Sequence, residues 1–245
     1  MTSSNARKRA ARDYQKRFPG TPYPVALRAV ARADGSLQVV IGTDTAGRRR
    51  WVDIEERAAG GEGPHLAVVG ASQARRCRAV ELMTESMSVR PPERGVQVIT
   101  LMGTDIDQHQ AVARITKLIE SRVETLKDAG AREFAELRRA ADLRHSDRDE
   151  PVRPDQGAVV VAVDGDAMDS PAALDAMERM LRVGRSLDIH TVLAAQRLDQ
   201  PRLAGCAGQV SGVLIVHDDG MAASWRAGST VEVALPACGT GGKDW

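Results

Sequence analysis

The chain has 245 residues, 42% of them hydrophobic and 27% charged, enough apolar side chain to bury the core of one α/β domain with an appendage. A formal net charge of +1 and an aromatic content of 3% argue against a global field for nucleic acid or acidic lipid and against a stacking platform for single strands. The three cysteines, Cys77, Cys206 and Cys238, make no C-x-x-C pair and no even set, which fits a reduced, cytoplasmic protein. No apolar run approaches the ~20 residues of a membrane span, and the N-terminus is charged rather than an apolar signal segment. Direct membrane insertion is therefore not expected, and any work at a membrane needs a partner to hold the chain there.

Residues 5–18 carry Arg7, Lys8, Arg9, Arg12, Lys16 and Arg17 against the single acid Asp13, and read as a solvated basic leader covering 1–22. After the breaker cluster 18–24, Val25–Ala31 and Leu37–Ile41 are spaced as a β-hairpin across residues 33–36. A basic turn, Arg48–Arg50, leads to a third short strand, Trp51–Ile54. Residues 60–64, rich in glycine, form a hinge. Residues 23–62 are thus expected to be a small β segment packed on a main domain, 63–245.

From His65 the pattern alternates. Leu66–Val69, Val96–Leu101, Ala158–Val163, His190–Ala195 and Val213–Val216 are short apolar runs of the kind that form buried parallel strands. Between them lie helical stretches. Arg76–Ser88 has Val80, Leu82, Met83 and Met87 on one side. A long helix carries Val112, Ile115, Leu118, Ile119, Val123 and Leu126, and ends at Gly130. A helix is predicted over Arg132–Leu143 and another over Leu174–Leu187. Residues 144–156, all charge, proline and polar side chains, read as a mobile loop. Within 213–245 only Ser224–Pro236 invites assignment, as a helical turn and a strand. The alternation implies a mostly parallel sheet with helices on both faces.

The strand ending at Val69 runs into Gly70 and then a helix, the position of a phosphate-binding loop of pattern G-x-x-x-x-G-K-[ST]. Gly70 matches the first glycine. Arg75 stands at the second glycine, Arg76 at the lysine and Cys77 at the hydroxyl residue. A second glycine-rich string, residues 239–243, has no following helix and reads as a tail.

The stretch Val183-Gly-Arg-Ser-Leu-Asp-Ile-His-Thr-Val-Leu-Ala-Ala-Gln-Arg197 resembles the approach to the last motif of FtsK/SpoIIIE-type motor ATPases. The nearest branch of that family is the EccC-type ATPases of type VII secretion, whose segments residues 63–70, Thr104–Asp107 and Asp128–Glu133 also resemble. The resemblance covers about 35–220. It implies a RecA-like P-loop NTPase fold, with ATP and Mg²⁺ as cofactors. It places the phosphate loop at Gly70–Cys77, the metal-holding aspartate at Asp164 and the sensor residue at Gln196. It also exposes departures. Gly165 stands where the catalytic glutamate follows the aspartate, a family loop of some twenty residues is absent after Leu101, and Ala195 and Leu198 replace the usual threonine and proline.

These departures bear on chemistry. The second glycine allows close approach of backbone to phosphate, whereas Arg75 puts a long cation there, to occlude the pocket or imitate the missing lysine. Arginine at 76 keeps charge but not the lysine's shape. A neutral thiol at Cys77 is a poor ligand for Mg²⁺. No catalytic residue is intact, so nucleotide and Mg²⁺ binding are expected to be weak or absent and hydrolysis absent. The expectation is a degenerate ATPase domain, an interaction or regulatory module of a secretion or DNA/protein transfer assembly. It would bind other subunits or itself as an oligomer, with DNA a further candidate partner, at the inner face of a membrane through those partners. The alternatives are an active ATP-dependent DNA or protein translocase and a haloacid-dehalogenase-like phosphatase. The phosphatase would use Asp164 as nucleophile with Asp166, Asp218 and Asp219, but no lysine lies between Asp164 and Asp219.

Overall fold

The computed structural model describes residues 12, 23, 37–54, 63–88, 96–103, 106–134, 136–137, 157–217, 222–227 and 229–235. The basic leader apart from Arg12, the run Val25–Ala31, the loop 144–156 and the tail 239–243 lie outside them, as does most of the hinge 60–64. The chain divides into two compact units, Met1–Leu37 and Gln38–Trp245, and every element below belongs to the second.

Nine strands form one sheet in the order β2-β1-β9-β8-β7-β3-β6-β5-β4. Five of them, β7 (Gly212–Val216), β3 (His65–Val69), β6 (Ile189–Ala195), β5 (Val159–Asp164) and β4 (Gln97–Leu101), are parallel neighbours. The α/β fold expected from the alternating pattern is borne out. Every residue of β5 and β6 is buried, which requires cover on both faces of the sheet and explains why these segments read as continuous apolar runs. Strand β3 lies between β6 and β7, while the next strand in sequence, β4, lies at the far edge. The chain therefore reverses its direction of winding beside β3, where ligand sites of open α/β sheets gather.

Helix α1 (Gln73–Ser88) packs on β1, β3, β6 and β7. Helices α2 (Gln108–Asp128) and α3 (Pro171–Leu187) pack on each other. Ile115 and Ile119 of α2 and Met177, Met180 and Leu181 of α3 share one buried cluster with Phe134, Val161 and Leu193. Each such side chain contributes about 1.5–3 kcal/mol by leaving water. The ends of these helices follow local chemistry. The Asp107 carboxylate accepts from the Gln110 N–H at the start of α2, and the Ser170 hydroxyl accepts from Ala173 before Pro171 sets the first turn of α3. Gly130, at φ +62°, follows the end of α2.

The expected partner of Leu37–Ile41, Val25–Ala31, lies outside the described residues, and the difference seen is in the turn before the third predicted strand. The hairpin is β1 (Gln38–Thr43) with β2 (Arg49–Asp53), turning through Asp44–Arg48, so Arg49 and Arg50 belong to the strand and not to the turn. The Asp44 carboxylate makes that turn by accepting from the Ala46 and Arg48 N–H groups, a local bond that the alternating pattern does not reveal. Strand β1 also meets β9 (Ser229–Ala234) at Thr43–Ala234, where a Cβ on Gly42 would lie 2.7 Å from the Ala234 carbonyl. The predicted turn of helix after Ser224 is instead a strand. β8 (Ala222–Ala227) and β9 form an antiparallel hairpin that continues the sheet from β7. Its Trp, Thr and Val residues carry strand propensity that outweighs the single helical turn read there. Of the helix expected over 132–143, Phe134, Glu136 and Leu137 are helical, and the residues from 138 onward lie outside the description.

Two buried histidines join these parts. His190 Nδ1 donates to the Ile54 carbonyl (2.9 Å), and its Nε2 lies 3.1 Å from Asp188 Oδ1, so the end of the first hairpin is held to β6. His65 opens β3 beside Thr191 and is 2% exposed. A Cβ on Gly184 would lie 2.8 Å from its ring and 2.6 Å from the Ile189 carbonyl, so the glycine of the Val183–Arg185 stretch makes room for both. Burial, reinforced by His190, lowers the His65 pKa to about 3. Its folded value is thus below the unfolded one, and the unfolded chain takes up more protons as pH falls from about 6.5 towards 3. Stability should therefore drop on acidification, by up to about 2 kcal/mol between pH 6.5 and 5. Urea unfolding at pH 7 and pH 5 checks this. His65→Leu should remove that part of the pH dependence, and an unchanged slope would contradict the assignment.

Candidate functional site

The site gathers where the parallel strands end. β3 stops at Val69, and α1 begins at Gln73, leaving a turn of Gly70, Ala71 and Ser72. A Cβ on Gly70 would stand 2.6 Å from the Val216 carbonyl at the end of β7, so only glycine fits there. The Gly70 N–H points to the Ala195 carbonyl of β6 at 3.4 Å. The Ser72 carbonyl accepts the Arg76 N–H at 3.1 Å, the first bond of the helix. This corrects the helix start expected at Arg76. Gln73 to Cys77, five of the eight positions from Gly70 to Cys77, are already helical.

The helix then sends three neighbouring side chains in different directions. Arg75 turns to the β7 side, where its Nη1 donates to the His217 carbonyl (2.6 Å). Arg76, 3% exposed, turns back into the bend, where its Nη1 donates to the Gly70 carbonyl (2.5 Å) and the Ala71 carbonyl (3.1 Å). Cys77 is half-buried, and burial together with the nearby Asp164 carboxylate raises its thiol pKa, so the sulfur is a neutral thiol at neutral pH.

Asp164 ends β5 and is 1% exposed. Its Oδ2 accepts from Gln73 Nε2 (3.2 Å), and its Oδ1 accepts from the Asp166 N–H (3.0 Å). Gly165 donates its N–H to the Ala194 carbonyl (2.7 Å), and a Cβ there would stand 2.9 Å from Leu193 Cδ1. Gln196 lies just past β6 with an exposed side chain, and what ties it to the site is its backbone N–H. Of the residues singled out in the sequence, Gly70, Arg76, Cys77, Asp164 and Gly165 are brought together, Gln196 joins by its backbone, and Arg75 does not join.

The residue that links them went unassigned to the loop. Asp166 Oδ2 accepts from Arg76 Nη2 (2.8 Å) and the Gln196 N–H (2.7 Å), and its Oδ1 from Arg202 Nη2 (3.0 Å) and Gln200 Nε2 (3.4 Å). Arg202 and Gln200 come from a short 3₁₀ turn, Pro201–Leu203, and its N-cap. The signal for Asp166 is the acid pair flanking Gly165 at the end of an apolar strand, which the sequence offers to the phosphatase alternative alone. Nothing in the spacing marks Gln73 or Arg202. Among the described residues no group of three His, Cys, Asp or Glu side chains could hold a metal ion, and Asp218 and Asp219 lie outside the description.

No family model matches the chain. It is 28% identical over 194 residues to the ESX secretion system protein EccC of Thermomonospora curvata, covering 69% of this chain and 14% of that protein. It is 31% identical over 197 residues to the ESX-4 secretion system protein EccC4 of Mycobacterium tuberculosis, covering 71% of this chain and 16% of that protein. The chain thus spans a small part of the relatives it matches. Among solved structures, the cytoplasmic domain of the T. curvata type VII secretion ATPase EccC superposes with a TM-score of 0.66 at 18% identity, over 82% of this chain and 28% of that one. The pCW3 conjugation coupling protein TcpA, solved with ATPγS, superposes with a TM-score of 0.56 at 12% identity, over 82% of this chain and 66% of that one. These neighbours are P-loop ATPases in fold, as the strand order and the turn after β3 imply.

The tight packing of the turn is open to a direct check. Gly70→Ala forces a methyl against the Val216 carbonyl, and chemical denaturation should register a loss of about 2 kcal/mol. A neutral result would mean that β7 yields easily at this point.

Proposed function

Starting from a chain whose homologues are the EccC ATPases of type VII secretion, we propose that it is a non-hydrolysing member of that group, an interaction or regulatory module of a secretion or transfer assembly. The observation that carries the reading is the early start of α1. A phosphate loop works by aiming consecutive unpaired N–H groups at an anion. Here the Arg76 N–H is spent on the Ser72 carbonyl, and the bend before the helix is only three residues long.

The remaining parts support it. An ATP–Mg²⁺ complex would call on Asp164 and residue 77 for the metal. Cys77 offers a neutral thiol, a poor match to a hard cation, and Asp164 already accepts from Gln73 and Asp166. Gly165 carries no base. These residues do not fit the complex. Phosphoryl transfer depends on positioning and charge stabilisation together. Loss of even one stabilising donor can cost on the order of 10²–10³-fold in rate, so a site lacking the hydroxyl ligand, the base and the open loop is left with no useful turnover.

The partners that suit this reading are other subunits of a secretion or transfer complex, or further copies of the chain, at the inner face of a membrane. No helix among the described residues is long and apolar enough to cross a membrane. The division into a leader, a β segment over 23–62 and an ATPase-like domain over 63–245 belongs to the same proposal.

Steady-state phosphate release from ATP, with Mg²⁺ and with or without double-stranded DNA, tests the reading. Release at the buffer rate is the expected result. Turnover that Asp164→Ala abolishes would overturn it in favour of an active translocase.

A further inference from the structure

We propose that the Arg76 guanidinium is the resident occupant of the altered phosphate loop, and that its ion pair with Asp166 ties the bend after β3 to the ends of β5 and β6 with no bound nucleotide. The proposal rests on reading Gly70–Cys77 as an altered phosphate loop, and it adds what fills that loop and what the filling does.

In a working loop an anion lies against inward-pointing N–H groups. The polarity here is reversed. A cation lies against two carbonyl oxygens, those of Gly70 and Ala71, and reaches the Asp166 carboxylate with its second nitrogen. One group thus meets the bend on one side and the β5 end on the other. A planar fork can do this with two nitrogens of fixed separation, whereas a lysine has a single nitrogen, which gives arginine a physical reason at this position.

The other end of the pair is a junction. Asp166 gathers Arg76 from α1, the Gln196 N–H from the end of β6, and Gln200 and Arg202 from the turn that follows. The Arg76 side chain is 4% exposed and that of Asp166 is 24% exposed. A guanidinium buried to this degree is costly without its carboxylate, so the two residues should be strongly coupled. The tie replaces, with atoms of the chain itself, a bridge that a bound nucleotide would otherwise form between the loop and the neighbouring strand ends.

The test is thermal unfolding of the full chain and of Arg76→Ala, Asp166→Ala and the double variant, each with and without low-millimolar methylguanidinium or pyrophosphate. Arg76→Ala is expected to melt roughly 10 °C lower, and the double variant to lose less than the sum of the two singles. Methylguanidinium should restore part of the loss in Arg76→Ala alone, since only that variant has both the vacated space and the carboxylate. Pyrophosphate should leave the wild-type Tm unchanged. Additive losses with no methylguanidinium rescue would overturn the proposal, and so would a wild-type Tm raised by pyrophosphate. Should Arg76→Ala fail to fold, Arg76→Lys carries the test. It should melt several degrees lower and exchange the Gln196 amide hydrogen faster, and no change in either would count against the tie. Phosphate release by the same wild-type sample separates the two readings. Turnover with the coupling intact in the nucleotide-free protein removes the non-hydrolysing reading and the exclusion of phosphate but leaves the nucleotide-free tie, whereas no turnover and no coupling removes the tie alone.

Discussion

The contact between Gly70 and the end of β7 constrains everything around the site. β3 is held between β6 and β7, and the residue that leaves it has the Val216 carbonyl where a side chain would begin. The bend is closed within three residues, and α1 starts immediately. Once positions 75 to 77 are helical, their side chains diverge by about 100° each. Arg75 is carried to the β7 side, Arg76 into the bend, and Cys77 towards Asp164. The three departures from the phosphate-loop pattern therefore act as one change in geometry, and their effects on chemistry cannot be counted separately.

The facing half of the site is built to match. Gly165 brings its backbone against β6, donating to the Ala194 carbonyl, and leaves no space for a side chain beside Leu193. That close approach sets Asp166 next to Gln196 and Arg202, where its carboxylate meets more donors than any single ion pair would supply. A side chain at 165 would meet the end of the buried Leu193 side chain, which would have to shift to admit it. The sheet, the α1 start and the acid at 166 form a mutually supporting arrangement, the condition under which a sequence specifies one structure.

Much of this was legible from the residues. The central strands β5 and β6 show as apolar runs because both their faces are covered, and α2 declares itself by spacing and by Gly130. Gly70 announced a strand-to-helix bend. What stayed hidden depended on contacts distant in the chain. The bond from His190 to the Ile54 carbonyl spans 136 positions and has no local signature. Asp166 looked like half of an acid pair until Arg76, 90 positions away, and Arg202 were seen beside it. Strand β8 was hidden because its residues also suit a helical turn, whereas a strand was expected in the span that holds β9, and β2 begins earlier than expected because the Asp44 side chain makes the turn before it. Local patterns fix elements, and long-range polar bonds fix the site.

A crystal structure grown with millimolar Mg²⁺ and a non-hydrolysable ATP analogue tests the central claim most directly. The arrangement described predicts a bend free of phosphate density, with the Arg76 guanidinium on the Gly70 and Ala71 carbonyls. Ordered phosphates and a magnesium ion between Gly70 and Asp164, with Arg76 swung aside, would contradict it.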